Sequence, residues 1–151
     1  MKLSTKARYA LVALCDVAMR DTDEVVSLTT LGKQQDISVQ YLEQLFRKLK
    51  IAGIVGSTRG PAGGYYLARS ASEIRLSDVL TAVDETIDAQ HVGAAAKGGA
   101  SGSHAQSLCN RLWEGMSAHV YVFLHRTTLA DIANNELAPC PAVPFILEVT
   151  D

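Results

Sequence analysis

A chain of 151 residues, 48% hydrophobic and 20% charged, has the size of one ordinary domain with an added element and is too apolar for a disordered chain. No run of about 18 residues is apolar enough to span a bilayer. The start, Met1-Lys2-Leu3-Ser4, lacks the apolar stretch and small-residue cleavage site of a secretory signal, so a cytoplasmic protein with no membrane partner is expected.

The net charge of −2 hides a division. Residues 1–69 carry ten Lys/Arg against six Asp/Glu, whereas residues 70–151 carry four against ten. The first part suits phosphate and the second repels it. Cys15, Cys109 and Cys140 are odd in number and far apart, a pattern that does not suggest a disulfide framework.

In chain order, a first helix is expected from about Thr5 to Arg20 with Ser4 as N-cap. Its apolar positions Leu3, Ala7, Ala10, Leu11, Leu14, Val17 and Ala18 step by three and four. Asp21-Thr22-Asp23 ends it. Ser27 caps a short helix through Leu28, Leu31 and Gly32 to Gln35, and Asp36-Ile37-Ser38 makes a tight connection. Ser38 then caps a third helix through Val39, Leu42, Leu45, Phe46 and Leu49 to Ala52-Gly53. Two helices joined by about three residues, the second with a polar outward face, form a helix-turn-helix pattern.

Two β-prone runs, Ile54-Val55 and Tyr65-Tyr66-Leu67, flank a loop rich in glycine and read as a hairpin, the wing of a winged helix. Residues 74–84 read as helix again. Residues 86–106 hold the small, glycine-rich run from Gly93 to Ser103 and are expected to form a flexible loop. A long helix follows from Ser107 to about Asn134. Its apolar stripe of Leu108, Leu112, Trp113, Met116, Val120, Phe123, Leu124 and Thr127 suits a partner helix. The expected architecture is therefore mainly α with a small β-hairpin. A winged helix-turn-helix DNA-binding domain spans residues 1–85, a loop 86–106, a dimerisation helix 107–135 and a tail 136–151.

On the third helix the face opposite the core shows Ser38, Gln40, Tyr41, Glu43, Gln44, Arg47 and Lys48, with Lys50 beyond. Gln40 and Gln44 suit adenine and Glu43 the cytosine amino group, while Arg47, Lys48 and Lys50 suit phosphate. Any surface helix has a polar face; the tight turn before this one and the hairpin after it favour DNA. Arg59 on the wing tip has the reach and permanent charge to enter a narrow minor groove. No nucleophile with a base, paired carboxylates or phosphate loop is visible, and Gly60 to Gly64 lacks the Lys-Ser/Thr of a P-loop, so an enzyme is not expected. A winged helix that binds protein instead of DNA is the other alternative.

Three motifs in order carry a family resemblance: Met1-Lys2-Leu3-Ser4-Thr5-Lys6-Ala7-Arg8-Tyr9-Ala10, Ile37-Ser38-Val39-Gln40-Tyr41-Leu42-Glu43-Gln44-Leu45-Phe46, and Arg59-Gly60-Pro61-Ala62-Gly63-Gly64-Tyr65. The chain resembles the bacterial winged-helix regulator family that includes the iron–sulfur cluster regulator IscR and the nitric-oxide sensor NsrR, and within it looks IscR-like. The resemblance is close over about residues 1–85 and extends through Leu112-Trp113 to about 135.

It implies a homodimer joined by the long helix, a palindromic double-stranded operator, and control of iron–sulfur or iron-metabolism genes. It also implies that Glu43 sits where operator types are discriminated and Arg59 where the wing enters the minor groove.

Cluster-binding members use three cysteines, and in the IscR-like case a histidine, before the dimer helix. Here those positions hold Ala95, Ser101, Ser107 and Asn110, and the usual ligation is absent. Cys109, His104 and His91 remain as a candidate non-standard Cys/His set for a 2Fe-2S cluster, a type of mixed ligation with chemical precedent. The alternatives are a clusterless regulator of the same fold that answers another signal, and ligands removed by engineering. Cys109 packed on a helix is the plain reading of that residue.

Overall fold

The structure, a computed structural model, describes residues 3–86 and 103–137. The elements run α1 (Thr5–Met19), α2 (Leu28–Gln35), α3 (Val39–Ile51), β1 (Val55–Thr58), β2 (Gly64–Leu67), a 3₁₀ turn (Ala71–Glu73), α4 (Leu76–Ala82), α5 (His104–Arg126) and α6 (Leu129–Ala133).

The helix-turn-helix is fixed by local chemistry. The Ser27 hydroxyl accepts the Thr30 N–H at 3.1 Å and that of Ser38 accepts the Tyr41 N–H at 3.2 Å, so each helix starts on a satisfied cap. Between them Asp36 takes a left-handed conformation (φ 54°), which Asp tolerates better than most residues. The Ile37 N–H then returns to the Gly32 carbonyl at 3.0 Å, closing α2. Ser4 precedes α1 with extended backbone but does not cap it with its side chain; its hydroxyl donates to the Glu85 carboxylate.

β1 and β2 pair antiparallel, with Val55 opposite Leu67 and Thr58 opposite Gly64. Gly60 turns the tip at φ 113°, a conformation that penalises a Cβ. The wing is anchored at its base by Val26, which exchanges backbone hydrogen bonds with Tyr65 at 3.0 and 2.8 Å. A Cβ on Gly64 would lie 2.5 Å from the Val26 carbonyl oxygen, so that close approach needs glycine.

One core joins these parts. Leu14, Leu31, Leu42, Phe46, Leu49, Ile54, Ile74 and Leu129 are buried together, and α1 packs against α2, α3, α4, α6 and β2. Phe46 meets Tyr65 edge-on at 4.9 Å between ring centroids, tying α3 to the wing. A second cluster of Ala7, Leu76, Leu80 and Leu124 attaches α5 to α1 and α4.

Three sequence expectations are corrected. The helix expected over 74–84 starts only at Leu76, because Ile74 and Arg75 are extended and pair with the chain at 127–129: the Leu76 N–H donates to Thr127 O at 3.0 Å and the Leu129 N–H to Ile74 O at 2.8 Å. The same pairing breaks the helix expected to run through residue 135. Thr127 is extended, and Thr128 restarts the chain as α6 through a capping box with Asp131. Finally, the long helix begins before Ser107. The Ser103 hydroxyl accepts the Gln106 N–H at 3.2 Å, so His104 opens α5 and does not belong to a flexible loop. The remainder of the expected loop, and the tail from residue 138 on, lie outside the described residues.

Candidate nucleic-acid interface

The caps and the buried row Leu42, Leu45, Phe46, Leu49 set the rotation of α3. Ser38, Gln40, Glu43, Gln44, Arg47 and Lys50 are left exposed. Glu43, Arg47 and Lys50 line one wall of a cleft of about 500 Å³, with Leu28 and Thr29 of α2, Val39 and the wing residue Tyr65 around them. The cleft runs between the start of α2, the outer face of α3 and the wing. Arg59 is exposed beyond it on the wing tip.

Three of the expected contacts are placed differently from a free outward side chain. Tyr41 is half-buried and packs edge-on against Tyr9 of α1, with ring centroids 5.7 Å apart at 89°. Lys50 donates to the Ser57 hydroxyl at 2.6 Å, a bridge from the end of α3 to β1. Lys48 pairs with Asp84, just past α4, at 2.6 Å, and its ammonium holds the Asp84 carboxyl below the usual carboxylate range, first through that hydrogen bond and then through its charge. Thr29 was not among the expected residues. Its signal was an exposed hydroxyl in the first turn after the Ser27 cap.

The candidate cluster ligands do not converge. His104 and Cys109 are both exposed, but five residues on one helix put them about 140° apart around its axis. Among the described residues no three His, Cys, Asp or Glu side chains come together as a metal site; His91 lies outside them. His125 faces Ser77, with Nδ1 3.2 Å from its hydroxyl, and stacks on Tyr121. Cys15 is half-buried, and burial, then Asp16, pushes its thiol pKa up. His104 and Cys109 therefore do not form a joint ligand pair for a cluster within one protomer. No helix among the described residues is long and apolar enough to cross a membrane.

A recognition helix held on a compact core, with a wing at its side, defines the class of winged-helix DNA-binding regulators. Residues 3–135 match the Rrf2 family, described as iron-dependent transcriptional regulators, and the chain belongs to that family. It is 61% identical over its whole length to a transcriptional regulator named IscR from Cereibacter sphaeroides, 99% of which is covered. It is 42% identical, again over the whole chain, to IscR of Yersinia pseudotuberculosis, 85% of which is covered. Among solved structures, CymR, the global cysteine regulator of B. subtilis, superposes with a TM-score of 0.74 at 30% identity, over 89% of this chain and 98% of that one. IscR of T. potens gives 0.70, also at 30% identity, over 90% and 88%. The chain is a DNA-binding transcription regulator and not an enzyme.

Proposed function

We propose that the protein binds a palindromic double-stranded operator as a homodimer, through Ser38, Gln40, Glu43, Gln44 and Arg47 on α3 and Arg59 on the wing. The observation that carries this reading is the cleft between α2, α3 and the wing, where Glu43 and Arg47 stand exposed on one wall. Tyr41, Lys48 and Lys50 enter the interface through their neighbours Tyr9, Asp84 and Ser57. Residues 1–85 form the DNA-binding unit in this reading, and α5 the dimer contact.

Binding to an operator selected from random duplexes tests it. Arg59→Ala is expected to weaken binding and to lower the slope of log affinity against log salt by about one per protomer; unchanged affinity at physiological salt removes the wing from the interface. Glu43→Ala is expected to relax discrimination at the base pair it faces by about 1–3 kcal/mol. A selection profile identical to that of the wild type would remove Glu43 from base readout.

The targets proposed are genes of iron–sulfur or iron metabolism, in keeping with the family description and the naming of the relatives. For the signal, Cys109 is the exposed thiol among the described cysteines and is the proposed point of attachment for iron. Among the described residues of one protomer, no set of three such ligands forms. Iron and sulfide content of anaerobically purified protein, with Cys109→Ala alongside, tests this. A colourless, iron-free wild type that still binds its operator would overturn it.

A further inference from the structure

We propose that Asp84 is an internal competitor of DNA, occupying Lys48 in the free protein and yielding it to a backbone phosphate on binding. The inference rests on the DNA-binding role of α3 and assigns a function to a residue outside it.

Lys48 lies one residue after Arg47 and one turn after Gln44, at the edge of the exposed face of α3. Its side chain stays 42% exposed although the ammonium is 2.6 Å from an Asp84 carboxylate oxygen. A carboxylate and a phosphate offer an ammonium the same kind of anionic acceptor, so the two are alternatives for one group.

Asp84 is held for the task by its backbone. It takes a left-handed conformation (φ 57°) at the end of α4. Its N–H is bound to Thr81 O at 3.1 Å, and its own carbonyl accepts from Lys6 Nζ at 3.0 Å. The next residue, Glu85, is bound through its N–H to Leu80 O at 2.9 Å and accepts the Ser4 hydroxyl on its side chain. The backbone that carries the Asp84 carboxylate is therefore held beside α3 by contacts independent of Lys48.

The pair itself is weak. With the Asp84 side chain 71% exposed, it is a solvent-screened surface pair of little worth to folding. An unpaired exposed Lys48 would be drawn to any polyanion. With Asp84 beside it, the charge is engaged only where a phosphate is placed well enough to displace the carboxylate.

Binding of a mixed-sequence DNA duplex, followed by fluorescence anisotropy across a salt series, tests the proposal with wild type, Asp84→Asn, Lys48→Ala and the double variant. Asp84→Asn is expected to bind a few-fold more tightly at low salt, with a steeper salt dependence, because the Lys48–Asp84 pair that competes in the wild type is itself screened as salt rises. In the Lys48→Ala background the same substitution should leave the slope unchanged. Equal slopes for wild type and Asp84→Asn would overturn the proposal while leaving the DNA-binding role intact. So would a gain that survives in the Lys48→Ala background, since Asp84 would then act on DNA directly.

Discussion

Gly32→Ala should destabilise the protein and abolish operator binding, although alanine favours a helix over glycine by about 1 kcal/mol. Gly32 is buried in α2, and a Cβ there would stand 2.7 Å from the carbonyl oxygen of Ile37 and 3.3 Å from Cγ2 of Val39. The first of these is backbone, so it cannot swing aside. Ile37 is also the residue whose N–H closes α2 on Gly32. Relief requires the turn to move, which carries Ser38, the cap of α3, with it. Overpacking of this kind costs about 1–3 kcal/mol, more than the propensity gain. The expected result is a lower Tm by circular dichroism and loss of sequence-specific binding; an unchanged or raised Tm would show that the turn relaxes freely.

That turn was legible in the sequence because its determinants are local. Ser27 and Ser38 announce two helix starts, and Asp36-Ile37-Ser38 marks the stop between them. The hairpin was legible for the same reason, since the glycines between Ile54-Val55 and Tyr65-Tyr66-Leu67 allow little else. The failures are where distant chain decides. Helical periodicity put Tyr41 and Lys48 on the outer face of α3, whereas Tyr41 packs half-buried against the core and Lys48 is itself half-buried. It could not say that Tyr9 and Asp84, the latter 36 residues away, arrive beside them. Thr127 fits a helix well enough by itself; what ends α5 is the backbone pairing of residues 127–129 with 74–76. A local clue existed in Thr128 and Asp131, three apart in the capping-box pattern. At the other end of α5, the run of small residues before Ser103 masked a serine that caps.

Replacing Leu112 and Met116 together by Glu should give a monomer whose operator affinity falls by about a hundredfold or more. Of the 23 residues of α5, Leu124 is the buried one. Leu108, Leu112, Met116 and Phe123 stay exposed, Leu112 at 55% and Met116 at 43%, and at about 100° per residue they fall within one face about 80° wide. A helix that offers a continuous apolar face to water has an unmet partner, and the proposed partner is the same face of a second copy. Neither Leu112 nor Met116 belongs to the buried clusters of the DNA-binding domain, so the variant should keep its wing and recognition helix. The loss follows from linkage. Two half-sites held by one dimer make the second contact intramolecular, a gain of about 10²–10⁴, and a monomer forfeits it while keeping its own phosphate contacts. The salt slope should therefore fall to about half the wild-type value, because each bound unit displaces half as many counterions. Sedimentation reads the assembly and anisotropy reads the slope. A variant that still sediments as a dimer would move the dimer contact off this face of α5.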